Sequence, residues 1–410
     1  MRRALAVLSL LAILGFGVPG AAAADTVLAG DDGQAFYKIV VPDGWNGDLV
    51  VWNHGFSLSP VGPVSDLGPL APLQLSEGYA VAASSYRMPG WAVFKTNEDL
   101  QTLYEAFVAR FGVPQRVLVT GASLGGIVSA AALEGADVGN VAGALTLCGA
   151  LAGSRNWDGA LDLRLGYDAI CGSVPGAFLP GGAEGLPGGS TLTGTQVALA
   201  VNACFGILAP PPARTPAQQA RLAAFLGLFQ LPENFVLTDM GYVTFAMSDL
   251  VHDHRKLKGR IGVGNENVVY GDPVTDAQIE RVSPHQGAAH RLKEDYTPTG
   301  NVGNVKIVSL HTDKDGLVFV ENESEYASVV PASNLTTAVV VEAVPSHCGF
   351  TPAEAVAGWE TLRGWVAGGP QPTAAGIQGL CAALAPTVGG PCRIDPTFVI
   401  PDMDGRIRPR

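Results

Sequence analysis

The stretch RVLVTGASLGGIVSA, residues 116–130, decides how the rest of the chain reads. Val117 to Thr120 is short, apolar and β-branched, which predicts a buried strand. Leu124 to Ala136 has no proline and many alanines, which predicts a helix. Between them, Gly121-Ala122-Ser123-Leu124-Gly125 matches G-x-S-x-G. A strand that turns sharply into a helix strains the backbone at its apex and leaves no room for large neighbours. Gly121, Ala122, Gly125 and Gly126 meet that demand. They leave the Ser123 hydroxyl exposed near the positive end of a helix dipole. The five-residue pattern alone is weak; its place between a strand and a helix makes Ser123 a candidate nucleophile.

Working outward, the pattern predicts strands at Phe36–Val41 and Asp48–Trp52, then at 79–87, 141–150, 305–316 and 335–344. Helices are predicted at Asn97–Phe111, near Glu321–Val329, and at Pro352–Val366 as the last one. Strand and helix alternate, which predicts a mostly parallel sheet covered on both faces. The rhythm breaks from Leu151 to about Asn304, where PGAFLPGGAEGLPGG and LAPPPARTP mix with helical stretches such as Pro216–Phe229. An insert of ~150 residues is too long for a plain connection. It reads as a lid over the C-terminal strand ends, where open α/β sheets bind ligands. Trp157, Tyr167 and Tyr242 are candidates for an acyl pocket or for lid core. The chain from the 380s onward reads as an irregular tail.

The first 24 residues show the layout of a secretory signal peptide: Arg2-Arg3, an apolar run, then Ala22-Ala23-Ala24. The expectation is a secreted or periplasmic protein without a stable membrane anchor. The domain plan is then 1–24 signal, 25–150 and 305–410 core, and 151–304 insert. A formal net charge of −12, with scattered basic residues, argues against a nucleic-acid partner. The one basic cluster, Arg255 to Arg260, reads as a solvated helix face. Six cysteines in an exported chain favour disulfides, but fifteen pairings are open. The short loop suggests Cys381–Cys392. The shared insert suggests Cys171–Cys204. Cys148 and Cys348 are then left. His252-Asp253-His254 lacks a third ligand, so no metal site is expected there.

The segments VPDGWNGDLVVWNHGF, GASLGG, YTPTGNVGNVKIVSLHTDKDGLV and SHCGF make the chain resemble secreted bacterial α/β-hydrolase serine esterases. The resemblance implies a mostly parallel sheet with an inserted cap. It also implies ester or amide hydrolysis through an acyl-serine, with no cofactor; the leading reading is an esterase acting on small or polymeric esters. The chain order in that fold is serine, acid, histidine. Only His347 lies beyond the acid candidates Asp313 and Asp315, so it is the expected base. Asp315 is preferred, because Asp315-Gly316-Leu317-Val318 is similar to the D-x-L-V segment of relatives. WNHGFS resembles the His-Gly segment of the fold. It assigns the Phe56 and Leu124 N–H groups to an oxyanion hole and leaves His54 a structural histidine bonded to backbone. The chain also resembles tannases and feruloyl esterases, in which a cysteine beside the serine bonds one beside the histidine. Cys348 follows His347 in that way, but Ala122 precedes Ser123. Cys148 is the nearer partner for Cys348. An exported prolyl-oligopeptidase-like peptidase and a non-catalytic binding protein on the same fold are the competing readings.

Overall fold

The strands alternate their side chains between two separate cores, and this is what buries the sheet on both faces. In Asp48–Asn53, Leu49 and Val51 pack with Val117, Val119, Phe107 and Ile127. Val50, between them, packs on the other side with Leu118, Leu145, Val308 and Trp359. A period of two with apolar residues on both sides is the signature of a strand covered twice.

The computed structural model describes residues 25–294 and 297–410; the expected signal segment lies outside them. The sheet runs through β1 (Thr26–Asp31), β2 (Phe36–Val41), β3 (Asp48–Asn53), β4 (Ala80–Ser84), β5 (Arg116–Ala122), β6 (Val141–Leu147), β7 (Lys306–Thr312), β8 (Leu335–Val340) and β9 (Ile394–Asp395). Their spatial order is β1-β2-β4-β3-β5-β6-β7-β8-β9. From β4 through β8 every pairing is parallel; β1, β2 and β9 pair antiparallel at the edges. The C-terminal ends of β3, β5, β7 and β8 therefore open on one edge.

The helices in the first half are α1 (Ala71–Ser76), α2 (Val93–Phe111) and α3 (Leu124–Gly135). Between β6 and β7 come α4 (Arg155–Cys171), α5 (Gly194–Phe205), α6 (Pro216–Phe229), α7 (Val236–Gly241), α8 (Met247–His252), α9 (Pro273–Gln278) and α10 (Gln286–Glu294). The last third adds α11 (Asn322–Val329), α12 (Pro352–Val366) and α13 (Ala374–Val388). Side chains from α2 and α3 cover one face; α1, α12 and α13 cover the other.

Three expectations need correction. Helix α2 begins at Val93, before Asn97; Val93, Phe94 and Thr96 of its first turn are buried and only Lys95 reaches solvent, so the turn shows little of the alternating pattern. The tail is irregular only beyond Val388. Helix α13 packs along α12, and Cys381 within it bridges to Cys392, just before β9 pairs with β8. Its glycines and Pro386 hid it from a propensity reading. The basic cluster is a turn after α8, not a helix face, and Lys256 is fully buried against Asp249.

The other two disulfides are Cys171–Cys204, between α4 and α5, and Cys148–Cys348. Among the described residues no helix is long and apolar enough to cross a membrane.

Candidate active site

The turn from β5 into α3 is set by close backbone approach. A Cβ on Gly121 would overlap the Gly125 carbonyl, and one on Gly125 would overlap the Asn53 carbonyl of β3. Two hydrogen bonds pin that approach. Asn53 Nδ2 donates to Ser129 Oγ at 2.9 Å, and Ser129 Oγ donates to the Gly125 carbonyl at 2.8 Å. Ser123 sits at the apex with φ 57° and ψ −123°. A non-glycine residue at positive φ is costly and persists only where its surroundings over-determine it. The Ser123 N–H donates to Leu147 O on β6, and its carbonyl accepts from Gly126 and Ala150.

The neighbouring strand ends bring the other two groups. Asp315 lies three residues past β7 and is 2% exposed. Its Oδ1 accepts backbone N–H bonds from Leu317 at 2.9 Å and Val318 at 3.0 Å, which lock the carboxylate. Its Oδ2 lies 2.7 Å from His347 Nδ1. His347 follows β8, and its Nε2 lies 2.9 Å from Ser123 Oγ. Asp313, the other acid candidate, accepts from the Glu342 N–H at 2.8 Å and so ties the end of β7 to the chain after β8. The structure thus joins Ser123, His347 and Asp315 in one chain of hydrogen bonds. An acid on one side and a hydroxyl on the other fit the imidazole to take and return a proton.

The histidine loop is held at several points. Cys348 bridges to Cys148, directly after β6. Asn234 donates to the Pro345 carbonyl at 2.9 Å, and Glu342 accepts from the Ser346 N–H at 3.0 Å. Below the acid, buried His311 contacts Glu323 at 3.0 Å and the Val318 carbonyl at 2.8 Å. Burial pushes its pKa down, but the Glu323 hydrogen bond and charge, with Asp315, outweigh this and raise it.

Leu124 is the first residue of α3, so its N–H has no partner within the helix. Gly55 lies against the serine: a Cβ there would be 3.5 Å from Ser123 Cβ and 3.9 Å from Oγ. Phe56 follows it and lines the pocket beside Ser123 together with Leu124. His54 contacts the Gly55 carbonyl at 2.8 Å and stacks on Tyr86, as a structural histidine would.

That pocket is walled mainly by apolar side chains, many of them from the β6–β7 segment, and the C-terminal tail adds Arg406, Ile407 and Arg408. A π-helical turn at Tyr242–Ala246 interrupts the run from α7 to α8. Such turns re-aim side chains; here Tyr242 meets Phe56 at 4.9 Å and stacks on Trp157 at 5.7 Å. Tyr242 is a pocket wall, Trp157 backs it, and Tyr167 is core, its hydroxyl donating to Ala177 O. His252 contacts the Leu186 carbonyl, and His254 is exposed. Among the described residues, one group has metal-ligand spacing. It consists of Cys148, Asp315, His347 and Cys348, whose cysteines are bonded to each other. Sequence reasoning missed Asp239 and Arg406, which also line the pocket. Each is isolated in sequence, with no local signal tying it to the serine.

No protein-family model and no curated protein matches the chain. Among solved structures it is similar to lipase A of Candida antarctica in its closed state, at 10% identity and TM-score 0.44, over 93% of this chain and 83% of that one. It is also similar to feruloyl esterase B of Aspergillus oryzae, at 13% identity and TM-score 0.43, over 82% and 79%. A further esterase of Aspergillus oryzae aligns at 13% identity and TM-score 0.45, over 85% and 80%. The chain's own strand order, its elbow, and an acid after β7 with a histidine after β8 give it the α/β-hydrolase fold.

Proposed function

We propose that the protein is an exported serine hydrolase that cleaves carboxylic esters through an acyl-serine intermediate. Ser123 attacks the ester carbonyl while His347 takes its proton. His347 then returns the proton to the leaving alcohol. Asp315 orients the imidazole and stabilises its charged form. The N–H groups of Phe56 and Leu124 bind the oxyanion. Water, deprotonated by the same histidine, releases the acid. No cofactor takes part, and the 151–304 segment serves as the cap that selects the substrate.

The observation that carries this reading is the 2.9 Å and 2.7 Å pair of contacts through His347. The strained serine at the elbow and the apolar pocket beside it agree with it. Hydrolysis of 4-nitrophenyl esters by the wild type and by Ser123→Ala is the test. The variant is expected to lose about 10⁶-fold in kcat. Hydrolysis retained within tenfold of wild type would remove the serine from the mechanism.

A further inference from the structure

Three polar side chains on the pocket wall beside Ser123 have their hydrogen bonds met by protein. Asp162 is bound by Tyr270 and Arg410, Arg408 donates to the Leu228 and Tyr270 carbonyls, and Asn156 donates to the Ala150 carbonyl. Two others differ. Arg406 is 11% exposed at its side chain, and its Nε and Nη2 are buried with no hydrogen-bond partner. Its Nη1 is 3.8 Å from Glu321 Oε1, an ion pair too long for a hydrogen bond. Asp239 Oδ2 is likewise buried and unpartnered.

The unmet atoms of Arg406 are not scattered. Nε and Nη2 form one edge of the guanidinium, two parallel N–H groups spaced to match the two oxygens of a carboxylate. The plane of that fork is fixed, since the guanidinium carbon lies 3.8 Å over the Phe319 ring. Buried polar atoms are almost always paired, so an unfilled fork on a residue that lines this pocket marks a place for a ligand group. Burial, then the charge of Asp315, hold the Asp239 carboxyl well above its ordinary range, with Arg406 opposing. A shift in that direction lessens the repulsion between Asp239 and an anion held there.

We infer that Arg406, with Asp239 beside it on the pocket wall, binds a carboxylate carried at the far end of the substrate's acyl group. The preferred substrates are thus half-esters of dicarboxylic acids, or polyester chains at a free acid end. The inference rests on the reading of Ser123 as the nucleophile of an ester hydrolase.

The test compares the 4-nitrophenyl monoester of adipic acid with 4-nitrophenyl hexanoate, equal in chain length and differing in the terminal carboxylate. The wild type is expected to favour the adipate ester at least tenfold in kcat/KM. Arg406→Gln should cut that ratio about tenfold or more, mainly through KM, and Arg406→Lys, which keeps the charge without the fork, should fall between. A wild-type ratio near one, or a ratio that Arg406→Gln leaves unchanged, overturns the inference. Binding separates it from the chemistry. Ser123→Ala should bind monomethyl adipate more tightly than methyl hexanoate by calorimetry, and adding Arg406→Gln should abolish the difference. That result, with hydrolysis of 4-nitrophenyl esters retained by Ser123→Ala or absent from the wild type, would sink the nucleophile and keep the carboxylate site. Equal binding of the two esters would sink the site. Circular dichroism of both Arg406 variants verifies folding.

Discussion

Removing the Cys148–Cys348 bridge, by changing both residues to alanine, should cost more stability than removing Cys381–Cys392, and it alone should cost activity. The bridge closes a loop of 200 residues, against 11 for Cys381–Cys392. In chain-entropy terms these loops are worth about 5 and about 3 kcal/mol respectively. The first figure corresponds to a fall in Tm on the order of 10 °C in a chain of this size. The activity effect comes from position. Cys148 follows β6 directly, and its N–H is bonded to Leu310 O on β7, so it is part of the sheet edge. Cys348 is joined to His347, and its sulfur lies 3.6 Å from the imidazole Nε2. Without the bridge the loop is held by hydrogen bonds alone, among them those from Asn234, Thr312 and Arg393 and to Glu342. A misplacement of about 1 Å at such a group costs about 10²-fold in rate. Thermal unfolding with hydrolysis of a 4-nitrophenyl ester reads both effects, and kcat should fall about 10–100-fold. Equal Tm values for the two double variants, together with wild-type kcat in the Cys148/Cys348 pair, would refute the reasoning.

Asp315→Asn should lower kcat by about 10⁴-fold, while Asp313→Asn should stay within about tenfold of wild type; the reverse order in steady-state kinetics would reassign the acid. Gly125→Ala should give little folded protein, because its Cβ has no space against the Asn53 carbonyl; a soluble, active variant would contradict the elbow packing. Burial, opposed by the charge of Arg410, raises Asp158 from 3.8 to about 6 in the folded protein. The folded state then holds this proton more tightly than the unfolded chain, so the stability it contributes is full below about pH 4 and lost as pH rises through about 6. Between those limits the wild type should lose about 3 kcal/mol more than Asp158→Asn in urea unfolding, and parallel pH profiles would contradict the assignment.

What the sequence disclosed follows from which constraints are local. The elbow was legible because close backbone approach forces glycine at fixed offsets from Ser123. His347 was legible because chain order leaves one histidine after the acid. Asp315 and Asp313 could not be separated by spacing alone. The choice is made in space, where the Leu317 and Val318 N–H groups turn Asp315 toward the imidazole. Helix α13 was missed because contact with α12 and a covalent bridge, not propensity, hold it. Arg406 was invisible for a related reason: it reaches the pocket only because the C-terminal tail folds back over the segment between β6 and β7. Lys256 looked like a solvated charge until its partner, Asp249, came from the preceding helix.

The most direct measurement of the central claim is peptide mapping by mass spectrometry after incubation with a fluorophosphonate. The account predicts a single phosphonyl adduct, on Ser123, absent from Ser123→Ala and strongly slowed in His347→Ala. An unlabelled Ser123, or an adduct that forms at the same rate without the imidazole, would contradict it.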